Sequence, residues 1–243
     1  MNQLREKTIA EIVTEDFRAA GIFEKYDLDF CCNGKRKLED VCSNQDVSVE
    51  LIVSELNLLS TSGRGAPRFN TWTSDFLIDY IVKNHHAYVR EASERLLFYT
   101  QKIANRHGSN HPEFLKIADL FDALAGEMQS HMHKEEYVLF PYIEALQAAA
   151  ESRAEIPAAA FGSVLHPIEM MESEHESAGD LTHQIRQLTN NYTVPEDVCM
   201  SCQVTYQELQ AFERDLHEHV HLENNILFPK ALAIEESLKV QMQ

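Results

Sequence analysis

The sequence predicts an all-α protein: an antiparallel four-helix bundle preceded by a small helical N-terminal domain. Three observations carry that expectation. The 243 residues contain only 8 Gly and 7 Pro, with few β-branched runs. Four long segments after residue 73 set apolar residues at the i, i+3, i+4, i+7 spacing of one helix face. The eleven residues His131-Met-His-Lys-Glu135-Glu-Tyr-Val-Leu-Phe-Pro141 recur, spacing intact, as His219-Val-His-Leu-Glu223-Asn-Asn-Ile-Leu-Phe-Pro229.

Residues 1–59 read as the N-terminal domain. Thr8 caps a helix through IAEIVTEDFRAAG, with Gly21 as its stop. A compact loop follows, Asp29-Phe-Cys31-Cys32-Asn-Gly34, then a short helix around residues 37–41. Ser48 caps a further helix through VELIVSELNLL. Residues 60–72, opening STSGRGAPRFN, are rich in Ser, Gly and Pro and read as a linker. Residues 73–243 form the bundle. Its first helix is expected over 74–106 and its second from Pro112 to Phe140, where Pro141 kinks or stops it. The third opens near Pro167, a favourable first-turn residue, and runs to Leu188. The fourth spans about 198–228. An Ala-rich connection near 145–165 joins the two halves.

Composition narrows the function. The net charge of −18 opposes binding to a phosphate backbone, so no nucleic-acid partner is expected. No apolar run is long enough for a membrane span, and the N-terminus lacks a secretory signal, so a cytoplasmic location is expected. Five cysteines point to reduced thiols or redox chemistry rather than to a disulfide framework.

The repeat concerns metal ligands. Residues i and i+4 of a helix share a face, so His131 projects with Glu135 and His219 with Glu223. Helix one adds the His85-His86 pair and helix three adds His175. The interval from His86 to His131 is 45 residues and from His175 to His219 is 44, which makes the bundle two copies of one hairpin. On helix two the inward stripe is Leu124, Met128, His131, Glu135, Val138 and Leu139. On helix three it is Ile168, Met171, His175, Ala178 and Ile185. On helix four it is Leu209, Phe212, Leu216, His219, Glu223 and Ile226. Periodicity does not choose between His85 and His86. Polar groups in apolar stripes cost about 1–3 kcal/mol each when unpaired, and a metal relieves all of them together.

Two other patterns carry less weight. His217-Glu218-His219-Val220-His221 matches H-E-x-x-H, but its outer histidines fall on the polar face and no third ligand is evident. His133 and His221 are expected toward solvent or behind the ligands. Cys199-Met-Ser-Cys202 is a single C-x-x-C at a helix start, with no second pair for a zinc ribbon and no βαβ pattern. It is read as structural.

Four histidines and two carboxylates give each of two ions two imidazoles and a share in both bridging carboxylates. That leaves room for a bridging oxygen and an exogenous ligand. The donor mix suits iron, with manganese or zinc as alternatives.

The bundle resembles a hemerythrin-like domain, and nearly the whole chain resembles the di-iron iron–sulfur cluster repair (RIC) family. The resemblance rests on Ile22-Phe-Glu-Lys-Tyr26, Asp29-Phe-Cys31-Cys32-Asn-Gly34 and Leu38-Glu-Asp-Val-Cys42, which match the ScdA-type N-terminal domain. It continues in Asn84-His-His86-Ala-Tyr88, His107-Gly-x-x-His-Pro112, Met171-Glu-Ser-Glu-His175-Glu and His219-x-x-x-Glu223-Asn-Asn. It implies metal ligands at His86, His131, Glu135, His175, His219 and Glu223, with His107 as a secondary candidate. It further implies an oxo-bridged pair of iron ions and repair of clusters damaged by oxidative or nitrosative stress, with damaged iron–sulfur proteins as clients. Cys31 and Cys32 would act in iron transfer, electron supply or docking, visiting the bundle if the linker allows. The chain is then an iron donor more than a conventional enzyme. Two alternatives stand beside this: an oxygen or nitric oxide binding or sensing protein, and a di-iron oxidoreductase acting on nitrogen oxides or peroxide. The sequence is compatible with a homodimer but does not require one.

Overall fold

The computed structural model describes residues 2–61 and 67–241, which contain helices and no strand. Five short helices precede the bundle: α1 (Asn2–Glu6), α2 (Ile9–Glu15), α3 (Ala20–Lys25), α4 (Leu38–Asn44) and α5 (Val49–Thr61). Thr8 caps α2 as expected, through a capping box in which Thr8 and Glu11 satisfy each other's backbone N–H groups. The helix does not continue to Gly21. Asp16 leaves the helical region, and its carboxylate accepts from the Arg18 N–H to start a 3₁₀ turn (Phe17–Ala19). Gly21 then lies inside α3. The stop is set by the side chain that competes for the backbone, which periodicity does not register.

The bundle comprises α6 (74–107), α7 (113–152), α8 (Leu165–Leu188) and α9 (200–241). α6 packs on α7 and α9, and α8 packs on α7 and α9, closing a four-helix square. Three of the four helices widen locally into a π turn: Ile81–His86 in α6, Glu135–Leu139 in α7 and Glu223–Leu227 in α9. In α7 the Phe140 N–H reaches back five residues to Glu135, and in α9 the Phe228 N–H reaches Glu223. In α7 and α9 the repeated prolines explain the widening; the turn in α6 has no proline beside it. Pro141 and Pro229 lack an N–H and crowd the carbonyl four residues earlier, and one extra residue in the preceding turn relieves the clash. Of the two outcomes expected at Pro141, a kink or a stop, the stop does not occur: α7 runs to Ser152 through an alanine-rich segment expected to be loop, and α9 continues past Pro229 beyond the expected end near residue 228.

The interior is two apolar clusters. One holds Leu96, Phe121, Leu209 and Phe212 and extends into the N-terminal helices through Ile12, Phe23, Leu38 and Ile52. The other holds Leu77, Phe140, Ile143, Leu227 and Phe228. A buried layer of histidine and glutamate lies between them. Of the stretch read as a linker, residues 62–66 lie outside the described residues. Farther on, Phe69 is buried and packs edge-on against Phe17 and Trp72.

Candidate metal centre

Six side chains from all four bundle helices meet in that layer. His86 comes from α6, His131 and Glu135 from α7, His175 from α8, and His219 and Glu223 from α9; none is more than 2% exposed. They form two groups that share both carboxylates: His86, Glu135, His219 and Glu223, and His131, Glu135, His175 and Glu223. Glu223 divides its oxygens between them, Oε1 lying 3.0 Å from His219 Nε2 and Oε2 lying 3.1 Å from His175 Nε2. Glu135 Oε2 lies 3.3 Å from both His86 Nε2 and His131 Nε2.

The outward ring nitrogens fix which atoms face inward. His86 Nδ1 lies 2.7 Å from Glu136 Oε1, His131 Nδ1 lies 3.0 Å from Glu174 Oε2, and His175 Nδ1 lies 2.8 Å from Asn224 Oδ1. Each oxygen accepts from an Nδ1–H, so each of these three Nε2 atoms is turned to the centre, free to bind a cation once it gives up any proton. The inward nitrogens crowd one another: His86 Nε2 is 3.2 Å from His219 Nε2, and His131 Nε2 is 3.0 Å from His175 Nε2.

This is the arrangement a cation resolves. Metal–ligand bonds of about 2.1 Å put donors at adjacent octahedral corners about 3 Å apart. Both oxygens of Glu135 and Oε2 of Glu223 are buried without a neighbour in hydrogen-bonding geometry. The residues present therefore fit two shared-carboxylate cation sites. The electrostatics agree. Burial alone would lower His86 and His131, yet the facing carboxylates outweigh it and lift both to about 10. Burial acts to raise Glu223, but the imidazoles of His219, His175 and His86 hold it well below the ordinary range. A cation replaces the protons that otherwise balance this charge.

The repeat extends to Leu-Phe-Pro for a packing reason. Phe140 stacks on His86 with ring centres 5.7 Å apart and 16° between planes, and Phe228 stacks on His175 at 6.2 Å and 6°. Each half of the repeat thus supplies a histidine, a glutamate and the aromatic wall of its own hairpin. The fourth histidine differs. His219 Nδ1 has no hydrogen-bond partner, and His85 stacks parallel to it at 5.7 Å while its own Nδ1 pairs with Asp215 at 3.0 Å. Both His85 and His86 are buried because the π turn ending at His86 turns two consecutive residues inward.

Several outer positions differ from the sequence expectation. Val138 is exposed, because the π turn rotates it out of the inner stripe while Leu139 stays inside. His221 is fully buried rather than facing solvent: the N-terminal domain covers it with Phe17 and Phe30, and burial lowers it to about 3. His217, the first histidine of the H-E-x-x-H match, faces Glu24 at 3.4 Å. His107 belongs to neither shared-carboxylate group and instead meets Cys199.

The Cys31-Cys32 loop is already seated on the bundle. Asp29 accepts from the N–H groups of Cys31, Cys32 and Asn33 at 3.0, 2.9 and 3.2 Å. Gly34 closes the loop where a Cβ would stand 2.2 Å from the Phe30 carbonyl oxygen. The Cys32 thiol donates to the His175 carbonyl at 3.6 Å, and Asn224 Nδ2 donates to the Cys31 carbonyl at 3.3 Å. The Cys32 sulfur 3.8 Å away, together with burial, pushes the Cys31 thiol well up. Both cysteines line a cavity of about 430 Å³ that reaches exposed Glu176 and Asp180.

Comparison with known proteins agrees with this anatomy. A model of the hemerythrin HHE cation-binding domain matches residues 77–231, and the ScdA N-terminal domain, described as a domain of unknown function (DUF542), matches residues 5–60. The chain is 34% identical over 228 residues to the iron-sulfur cluster repair protein ScdA of Staphylococcus haemolyticus, covering 93% of this chain and 97% of that one. It is 34% identical over 234 residues to the iron-sulfur cluster repair protein YtfE of Escherichia coli O157:H7, covering 95% and 99%. The YtfE of an Enterobacter species is 35% identical over the same length and shares. No helix among the described residues is long and apolar enough to cross a membrane. The chain belongs to the hemerythrin HHE family, in its ScdA/YtfE branch with an ScdA-type N-terminal domain.

Proposed function

We propose that this chain holds two iron ions on His86, His131, Glu135, His175, His219 and Glu223, and yields iron to iron–sulfur proteins damaged by oxidative or nitrosative stress. The observation that carries the reading is the pair of four-residue groups sharing Glu135 and Glu223, with the cysteine loop against the backbone of one ligand. Imidazole and carboxylate without thiolate suit iron at the centre. Iron held there supplies exchangeable metal and open positions for a small ligand.

The protein's own groups set how that iron is kept and released. Glu136, Glu174 and Asn224 orient three of the four histidines, whereas His219 has no such partner. Cys31 and Cys32 line the cavity beside His175, so cargo iron leaving by that face meets two sulfur donors, which favour it. The relatives named as iron-sulfur cluster repair proteins over 93–95% of this chain support the assignment.

The test is a Cys31→Ser/Cys32→Ser variant loaded with iron and incubated with an iron–sulfur protein whose cluster nitric oxide has degraded. Wild-type iron content and no restoration of the cluster are the expected results. Full restoration by the variant would remove the cysteines from the function. Multiple turnover of nitric oxide or peroxide, with iron retained and no cluster restored, would favour an oxidoreductase instead.

A further inference from the structure

The end of the bundle far from the metal centre carries a second set of reactive groups. His107 closes α6, 21 residues beyond His86, a rise of about 30 Å along the helix. Its Nε2 lies 3.3 Å from Cys199 Sγ. Cys199 is the N-cap of α9, with extended backbone (φ −81, ψ 165), and Cys202 lies in the first turn of the same helix. The two sulfurs are 4.0 Å apart. Cys199 is half-buried, whereas Cys202 is 0% exposed. The order is that of a nucleophile and a resolving thiol: an accessible sulfur at a helix start, backed by a protected one within a side-chain rotation.

The environment makes the two thiols unequal. The hydrogen bond with His107, helped by the N–H groups of Cys202 and Ser201, outweighs burial and holds the Cys199 thiol down at about 6. Burial, then the neighbouring Cys199, pushes Cys202 up to about 11. One thiolate and one thiol therefore coexist at neutral pH. The C-x-x-C signal was legible in the sequence, but its histidine stands 92 residues away and only the fold brings it across.

We propose that Cys199 and Cys202 form a redox-active dithiol that reacts with low-molecular-weight disulfides, with His107 as the residue that positions Cys199. The Cys199 thiolate attacks one sulfur of a disulfide RSSR, forming a mixed disulfide and releasing RS⁻. Cys202 then attacks Cys199 Sγ and expels the second half as RSH, which carries off the Cys202 proton. The protein loses two electrons, the small disulfide gains two, and the product is a Cys199–Cys202 bridge. Closure brings the sulfurs from 4.0 Å to about 2 Å.

The probe is oxidised glutathione. The full chain is incubated with it, quenched in acid, alkylated and digested. Cys199 and Cys202 share one tryptic peptide, separate from that of Cys31 and Cys32. The expected product is an internal disulfide in that peptide. Cys202→Ser should arrest the reaction at a glutathione adduct on Cys199, and Cys199→Ser should leave Cys202 unmodified. Alkylation of Cys199 should rise through a pH near 6. His107→Ala should move that midpoint upward and slow alkylation at neutral pH roughly tenfold, with helicity by circular dichroism unchanged. Three results would overturn the proposal: Cys199 alkylating like an ordinary thiol, the first adduct forming on Cys202, or one tightly held zinc ion masking both sulfurs.

Discussion

Asn224 ties His175 to the cysteine loop. Its Oδ1 accepts from His175 Nδ1 at 2.8 Å while its amide donates to the Cys31 carbonyl at 3.3 Å. Asn225, the next residue of the same π turn, donates to the Phe30 carbonyl at 3.2 Å. The N-terminal domain is thus anchored at the residue that orients His175, and the candidate metal centre and the seating of the cysteines share one side chain.

Replacing Asn224 by Leu removes both bonds at little change in volume. Loss of such an orienting partner typically weakens metal binding about 10–100-fold. Competition with a chelator should show that weakening, together with faster alkylation of Cys31 as its loop lifts. Unchanged chelator resistance would mean that the amide does not support the ligand.

Phe140 and Phe228 are buried walls of the centre, stacked on His86 and His175 respectively. Truncating either to Ala should cost about 3–5 kcal/mol, read by denaturant unfolding of the metal-free chain. The two losses should be similar, because the two hairpins repeat the same packing. A loss in one and none in the other would break the pseudo-twofold account.

His221 is predicted to make the domain seam acid-sensitive. Its folded value is depressed to about 3 by burial, against about 6.5 when unfolded. The unfolded chain therefore binds this proton first. The contribution is complete above about 6.5 and is lost as pH falls, at up to about 1.4 kcal/mol per pH unit. His86 and His131, raised to about 10, act in the opposite window: their contribution is full below about 6.5 and declines toward 10. The lowered Glu135, Glu174 and Glu223 act only below their ordinary value of 4.5. Between pH 4.5 and 6.5 the metal-free wild type should thus lose stability with acid, His219, also lowered by burial, acting in the same direction, and His221→Leu should reduce that slope. An equal slope in both proteins would contradict the seam's role.

The helices and the inward positions of His131, Glu135, His175, His219 and Glu223 were legible because burial in a bundle repeats at 3.6 residues, and His-x-x-x-Glu keeps that period; His86 was singled out over His85 only by the family resemblance. What escaped the sequence lay where the period breaks or where another domain arrives. The π turn before Pro141 exposes Val138, and the turn ending at His86 buries both histidines. His221 sits on what helical spacing makes a polar face, until Phe17 and Phe30 cover it. Glu136, Glu174 and Asn224 lie within the repeated and family-like motifs, but their role arises from contacts across helices, which spacing along one helix does not reveal. The pairing of His107 with Cys199 is of the same kind.

The sharing of Glu135 and Glu223 between two ions is the centre of the account. Metal content by mass spectrometry, with an optical spectrum, on wild type and Glu135→Ala/Glu223→Ala tests it most directly. The two groups predict two irons per chain in the wild type, with di-iron absorption, and loss of both in the variant while the helices persist. One zinc per chain, or iron retained without those carboxylates, would contradict it.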